Sequence, residues 1–263
     1  MQVEISDITP EMAGKLLAAN TRNRRIRPTV VEAYKRDMVN GNWPANGDSI
    51  KVAVTGEVID GQHRLTAAFE ADFTLRSIVL ITGLPLEAQD TTDIGVGRTS
   101  ADQLTLRGIG NSNLLASVGR RVWQWETGNI KFQSRPTPTK PELLAFVMEL
   151  PRLQRSAEIG ARVNQSFRAA NATVTGTVHH IFTAIDPATS AEFFGHLETG
   201  AGLDEFHPVL TLRNRLMRDR DNSKKMPFHV QAAYYIKAWN ALRADEPLST
   251  ILMTAENHMP RPQ

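Results

Sequence analysis

The sequence predicts an α+β N-terminal domain with a small mixed sheet, followed by an all-α C-terminal domain. Short runs rich in Val, Ile and Leu, bounded by turn residues, occur in the first part of the chain and are typical of strands. In the second part, apolar residues recur every three to four positions, as in amphipathic helices. The change follows Gly108-Ile109-Gly110, so we expect domains of residues 1–108 and 109–263.

Composition narrows the class of protein. The 263 residues are 41% hydrophobic and include no cysteine, which excludes disulfides, thiolate metal sites and a cysteine nucleophile. No apolar run approaches the ~20 residues needed to span a bilayer, and the first residues lack a signal-peptide pattern. We therefore expect a soluble protein of the cytoplasm that makes no membrane contact.

Charge is shared unevenly between the two parts. Residues 1–105 carry a net charge of −3 and residues 106–263 a net charge of +5. A basic balance favours contact with nucleic acid. The helical domain is therefore the part of the chain that we expect to contact DNA or another partner.

The N-terminal elements follow from caps and alternation. Thr9 and Pro10 are typical of a helix start, with a threonine cap and a proline in the first turn. Thr55-Gly56 is typical of a hairpin turn between two strands. The predicted order is a strand at Gln2–Ile5, helices from Pro10 to Ala19 and from Pro28 to Gly41, strands at Ile50–Val54 and Glu57–Asp60, a helix to Ala71, a strand at Leu75–Thr82 and a short helix capped by Ser100.

Helical periods dominate the remainder. Thr139 with Glu142 three residues later is a capping-box signature. Tyr235 and Trp239 are four residues apart and are expected to lie in the helical core. The predicted helices are Leu114–Thr127, Lys140–Leu150, Leu153–Phe167, Ala172–Ala184, Ala188–Leu197, Pro208–Arg218 and Phe228–Arg243.

The stretch Asp60-Gly61-Gln62-His63-Arg64 joins a predicted strand to a predicted helix. A helix start presents backbone N–H groups and the positive end of the helix dipole, which favour an anion such as phosphate. Glycine allows close approach of the backbone, and arginine binds an oxyanion with two parallel hydrogen bonds. We predict phosphate binding here. Asp60 is expected to cap the helix, with metal or water binding as the alternative.

With this motif in place, residues 1–105 resemble the ParB/sulfiredoxin superfamily. Gly61-Gln62-His63-Arg64 is similar to the Gly-Cys-His-Arg motif of sulfiredoxin and the Gly-Glu-Arg-Arg motif of ParB, and the Asp-Gly-Gln-His-Arg form recurs in ParB-like phage and plasmid proteins. The resemblance implies a ParB/sulfiredoxin-like fold for the first domain. It also implies that Gly61, Gln62, His63 and Arg64 bind a nucleoside triphosphate, CTP or ATP, with Mg²⁺ as a further component, and it leaves a homodimer open.

Two other segments extend the predicted site. Arg22, Arg24, Arg25 and Arg27 form a cationic loop within Asn20–Arg27, which echoes the early Asn/Arg segment of the superfamily, and the alternative is a solvated loop. Of these we assign Arg25 to the nucleotide. Asp93 and Arg98 echo the later nucleotide-contacting segment, and Arg98 is the second arginine assigned to the nucleotide.

The residue at position 62 differs from the one in both motifs that this stretch resembles. Gln62 stands where sulfiredoxin has its nucleophilic cysteine, which excludes sulfiredoxin chemistry, and where ParB has glutamate. The candidate catalytic residues are Asp60, Gln62 and His63. Our first hypothesis is a nucleotide-binding ParB-like protein of phage or plasmid type that acts on or regulates DNA. The alternatives are a phosphotransferase or nuclease that uses the same site, with Glu57, Asp60 or Asp93 as its carboxylate, and a non-catalytic phage protein that binds a host factor.

A histidine pair and a group of basic residues in the helical domain are two further candidate sites. Adjacent helical residues point about 100° apart, so His179 and His180 are expected to be structural and not metal ligands. The basic residues near the end of the sixth helix of this domain give it a basic side for nucleic acid, with a solvated helix end as the alternative. These residues are Arg213, Arg215, Arg218, Arg220, Lys224 and Lys225.

Overall fold

The computed structural model describes residues 1–20, 25–92, 99–132, 136–222, 226–252 and 259–263. The chain forms two compact units, Met1–Gly97 and Arg98–Gln263. The first is α+β with a small mixed sheet and the second is largely helical, so the fold class predicted at this level is confirmed.

The first unit contains four strands and three α-helices among its described residues. Its elements are β1 (Gln2–Ile8), α1 (Pro10–Ala18), α2 (Pro28–Val39), β2 (Ser49–Ala53), β3 (Val58–Asp60), α3 (Gln62–Glu70), β4 (Leu75–Leu84) and a 3₁₀ helix (Leu86–Thr91). Thr9 caps α1 as predicted, because its side chain accepts a hydrogen bond from the N–H of Met12.

The sheet has the strand order β1-β4-β2-β3. β4 pairs with β1 in antiparallel fashion and with β2 in parallel fashion, while β2 and β3 form the predicted antiparallel hairpin. The three helices pack on the sheet through a core that includes Ile50, Leu65 and Leu75. Because α3 follows β3 after a single glycine, this hairpin places the start of α3 beside the first residues of β2.

The second unit contains eight α-helices among its described residues. They are α4 (Ser100–Leu106), α5 (Ser112–Glu126), α6 (Lys140–Glu149), α7 (Arg152–Ser166), α8 (Ala172–Ile185), α9 (Pro187–Thr199), α10 (Pro208–Asp221) and α11 (Phe228–Arg243). The predicted capping box of Thr139 and Glu142 is present at α6. None of the described helices is long and apolar enough to cross a membrane.

The start of α4 differs from the prediction. Ser100 is its first helical residue, and the cap is Thr99, which forms a capping box with Asp102. α4 packs against α5 and α6, and it lies in the second unit, Arg98–Gln263.

The core of the helical unit is rich in aromatic side chains. Tyr235 and Trp239 are fully buried there, as predicted, and the Trp239 ring stacks on that of Phe182 at 4.3 Å between centroids. α7 and α8 approach each other closely, since a Cβ on Gly160 would lie 2.4 Å from the carbonyl oxygen of Ala172.

Candidate functional site

The turn from β3 into α3 requires glycine for two reasons. Gly61 has φ 98° and ψ 6°, a left-handed conformation that residues with a Cβ seldom adopt. A Cβ at this position would also lie 2.3 Å from Cδ1 of Ile50, which is fully buried. The first N–H groups of α3 have no acceptor within the helix, so the turn places the positive end of the helix dipole next to the end of β3.

Arg64 holds this turn to the start of β2. Its Nη2 donates to the carbonyl oxygen of Ser49 at 2.9 Å and to Oδ2 of Asp60 at 3.2 Å, and its Nη1 lies 2.9 Å from Oδ2 of Asp48. The side chain is 14% exposed. These contacts use three of the five N–H donors of the guanidinium, so Arg64 acts first as a connection between β2, β3 and α3.

Asp60 does not cap α3, contrary to the prediction. The N-cap position belongs to Gly61, and the carboxylate of Asp60 pairs with Arg64 four residues later. The physical reason is the left-handed glycine, which occupies the cap position itself and leaves the aspartate one residue outside it. The pairing with Arg64 neutralises a carboxylate that would otherwise repel a phosphate.

His63 is buried, with 7% of its surface exposed. Its Nε2 accepts a hydrogen bond from the backbone N–H of Arg27 at 3.0 Å. An imidazole that accepts at Nε2 is neutral and carries its proton on Nδ1. Because Arg27 is also the N-cap residue of α2, this bond ties the start of α2 to the start of α3.

Gln62 makes the matching connection at the other end of the arginine loop. Its Oε1 accepts from Nδ2 of Asn20 at 3.5 Å. Both flanks of the loop predicted at Asn20–Arg27 therefore contact the first two residues of α3. Within the loop, Ile26 packs on the core and Arg25 is exposed.

The bonds described above do not include the other predicted site residues. Arg22, Arg24, Asp93 and Arg98 lie outside the described residues. Glu57, one of the carboxylates considered for catalysis, is buried and accepts a hydrogen bond from Oγ1 of Thr55. Over the described part of the chain, no three His, Asp or Glu side chains are grouped so as to hold a metal ion.

Asn20 and Asp48 belong to this arrangement and were not predicted individually. Asn20 is 42 residues from Gln62, and Asp48 precedes β2 without any motif around it.

Two of the basic residues of α10, Arg213 and Arg215, bind other groups of the protein. Arg213 donates to the carbonyl oxygen of Leu197 and lies 4.0 Å above the Phe167 ring. Arg215 donates to Asp219 at 3.1 Å and to the hydroxyl of Tyr234 at 2.7 Å.

Only part of the predicted basic side is therefore open to a partner among the described residues. Arg218 and Arg220 are exposed, while Arg213 and Arg215 are held by protein groups. Lys224 and Lys225 lie outside the described residues.

The adjacent histidines of α8 are in the protein interior. Nδ1 of His179 lies 2.9 Å from Oγ of Ser156, and the Ser156 hydroxyl donates to the carbonyl oxygen of Arg152 at 3.1 Å. The contact between His179 and Ser156 joins α8 to α7.

Burial, together with neighbouring charges, lowers the pKa of His179 and of His180 to about 4. Both rings are therefore neutral at pH 7.

The chain was compared with known proteins in three ways. No protein-family model, no curated protein and no solved structure matches it.

Proposed function

We propose that the first unit binds the phosphates of a nucleoside triphosphate, CTP or ATP with Mg²⁺, at the start of α3, and that the protein uses this binding to act on or regulate DNA. One observation carries the proposal. The two flanks of the arginine loop, Asn20 and Arg27, are hydrogen-bonded to Gln62 and His63. A cationic loop is therefore tied to the end of a helix that itself favours anions.

The arrangement supplies the parts that a phosphate requires. Gly61 brings the backbone of the turn close without a Cβ, and the start of α3 contributes the positive end of its dipole. Arg25 is exposed within the tethered loop, where its guanidinium can form paired, charge-assisted hydrogen bonds with phosphate oxygens. The resemblance of Gly61–Arg64 to the ParB and sulfiredoxin motifs supports the same ligand.

Arg64 has a different role in this proposal from the one expected. Because Asp48, Asp60 and the Ser49 carbonyl already bind it, Arg64 positions the turn, and Arg25 supplies the charge for the ligand. Loss of binding in an Arg64 variant would therefore not distinguish a lost ligand from a distorted turn. Arg25 is the residue to change.

Among the candidate carboxylates that the structure describes, Asp60 and Glu57, the contacts favour binding over turnover. A phosphotransferase or nuclease needs a carboxylate for a metal ion or as a base. Asp60 is paired with Arg64 and Glu57 is bonded to Thr55. We therefore propose a nucleotide-binding protein that acts on or regulates DNA.

Calorimetric titration with CTP, ATP and GTP in the presence of Mg²⁺ tests the proposal. We expect the wild type to bind one nucleotide with a micromolar Kd, and Arg25→Ala to bind it about tenfold more weakly, since a hydrogen bond to a charged group is worth about 1.5–3 kcal/mol. The matched control is Arg76→Ala, which removes an equally charged but exposed arginine that pairs with Asp7. The control is expected to bind like the wild type. Absence of nucleotide binding by the wild type would reject the proposal.

A further inference from the structure

The helical unit contains a cleft of about 600 Å³. It lies where the C-terminal ends of α7 and α10 meet the starts of α8 and α11. Clefts of roughly 300–1,000 Å³ are typical of small-molecule and cofactor sites. The volume far exceeds what a bare phosphate or sulfate would fill, so the cleft fits a ligand with an organic body.

Two arginines line the cleft from different elements. Arg168 follows the end of α7, and Arg220 lies in the last turn of α10. Both side chains are exposed. Among the described residues, neither forms an ion pair, so their charges are available to an anionic ligand.

The acidic residue of the lining is already compensated. Asp219 is the only carboxylate among the described residues that line the cleft. It is buried, and Nε of Arg215 donates to it at 3.1 Å. Arg215 is in turn held by the hydroxyl of Tyr234 and the carbonyl oxygen of Ile251. The lining therefore presents a net positive charge, supplied by Arg168 and Arg220.

Carboxamides stiffen the walls between the arginines. Nδ2 of Asn164 donates to the carbonyl oxygen of Ala170 at 2.7 Å, and Nε2 of Gln231 donates to that of Met226 at 3.2 Å. One hydrogen of each amide nitrogen is used in this way, and the side-chain carbonyl oxygens can accept hydrogen bonds from a ligand.

Apart from Asn171, whose side chain caps α8, the remainder of the lining is apolar and suits a planar ring. It consists of Ala169, Ala170, Leu216, Met226 and Pro227. Apolar surface with a few convergent polar groups is the usual composition of a ligand site. An anionic end and a flat, hydrogen-bonding body are the two parts of a nucleotide.

We infer that this cleft binds a phosphorylated nucleoside, either as a free nucleotide or as one unit of a single-stranded nucleic acid. Arg168 and Arg220 bind the phosphate, and the base lies on the apolar lining beside Asn164 and Gln231. The site belongs to the second unit and does not depend on phosphate binding at the start of α3.

The test uses the full chain and a fluorescently labelled single-stranded DNA 12-mer, with binding followed by anisotropy. Unlabelled CMP, AMP and inorganic phosphate serve as competitors. The site variant is Arg168→Ala/Arg220→Ala. The matched control is Arg218→Ala, which removes an exposed arginine from the same helix outside the cleft lining. Arg25→Ala reports on the first unit, and far-UV circular dichroism checks that each variant is folded.

We expect the wild type to bind the 12-mer, the site variant to bind at least tenfold more weakly, and Arg218→Ala to bind like the wild type. Loss of the phosphate contact should reduce the slope of log K against log salt by about 0.7, the contribution of each neutralised phosphate of a single strand. Competition by CMP or AMP, at concentrations where inorganic phosphate has no effect, would identify the free nucleotide as a ligand. Binding of the 12-mer without such competition would identify the strand.

Three results would overturn the inference. The wild type could bind neither the 12-mer nor the mononucleotides, the site variant could bind as tightly as the wild type, or Arg218→Ala could weaken binding as much as the site variant. If only Arg25→Ala reduces binding, this inference fails while the proposed function stands. If only the cleft variant reduces binding, the inference stands, and the proposed function is decided separately by the calorimetric titration of the wild type and Arg25→Ala with nucleotides.

Discussion

The backbone N–H of Arg27 donates to Nε2 of His63 across 3.0 Å, and this bond fixes the last residue of the arginine loop to the second residue of α3. The bond requires a neutral imidazole with its proton on Nδ1. Any role of the loop in binding an anion therefore depends on a histidine that contacts backbone and acts as an anchor.

Replacement of His63 should release the loop. In His63→Ala the N–H of Arg27 loses its acceptor, so we expect faster amide exchange at residues 25–30 and nucleotide binding about tenfold weaker than in the wild type. His63→Gln keeps an acceptor oxygen on a side chain of similar reach and should restore part of the protection. Hydrogen exchange followed by mass spectrometry measures the effect, and unchanged exchange in His63→Ala would show that the bond does not hold the loop.

Replacement of Arg64 should destabilise the first unit far more than replacement of Arg76. Arg64→Ala leaves the mostly buried Asp60 carboxylate without its cation and removes the bond to Ser49, so we expect a loss of about 2–4 kcal/mol in the free energy of unfolding. Arg76→Ala breaks only an exposed pair, with the arginine 73% exposed, and should cost under about 1 kcal/mol. Urea denaturation, monitored by hydrogen exchange in β2, β3 and α3, measures the free energy of unfolding of both variants. An equal loss of stability in Arg64→Ala and Arg76→Ala would contradict the prediction.

Gly61→Ala should be strained in two separable ways. The left-handed φ of 98° costs about 1–2 kcal/mol for a residue with a Cβ, and the new Cβ clashes with Cδ1 of Ile50. Ile50→Val removes that methyl group. The double variant should therefore regain the stability lost to the clash, while the cost of the left-handed backbone remains. A double-mutant cycle measured by urea denaturation separates the two contributions. Strictly additive losses would show that Ile50 does not restrict position 61.

Acid should destabilise the helical unit through its buried histidines. The pKa of His180 is about 4 because of burial and the nearby Arg152, against about 6.5 in the unfolded chain. His180 is 3% exposed, and its Nε2 lies 3.6 Å from Oε1 of Glu126, longer than a hydrogen bond. Between these pKa values the unfolded chain binds the proton and the folded chain does not, so stability is full above pH 6.5 and falls as the pH decreases towards 4.

The change that isolates this effect is His180→Leu. Between pH 7 and pH 5 the wild type should lose about 2 kcal/mol more than the variant, measured by urea denaturation with circular dichroism at 222 nm. His229→Gln, an exposed histidine of α11, is the control and should keep the pH dependence of the wild type. Identical pH profiles for His180→Leu and the wild type would contradict a depressed pKa at His180.

Local sequence signals predicted the parts of the site that adjoin in the chain. A strand, a glycine and a helix in succession placed Gly61–Arg64 at a helix start, and the structure has that geometry. The contacts that complete the site escaped prediction because they join distant segments. Asp48 meets α3 only once β2 pairs with β3 and with β4, and Asn20 meets it only once α1 packs against α3.

Side-chain direction explains the remaining differences. The run of arginines in α10 predicted a basic side, yet Arg213 and Arg215 bind carbonyl, hydroxyl and carboxylate groups of the protein. The N-cap of α4 is Thr99 and not Ser100 for a different reason. Asp102 is three residues after Thr99 and completes a capping box with it.

The sequence by itself determined the two-part fold class, the hairpin that leads into α3, the need for glycine at position 61 and the aromatic core around Tyr235 and Trp239, because each depends on local periodicity, turn chemistry or hydrophobicity. Only the tertiary structure decided that Arg64 is bound by Asp48, that His63 anchors the arginine loop, and that Arg168 and Arg220 line one cleft. Those relationships join residues far apart in the chain, and packing of whole elements brings them together.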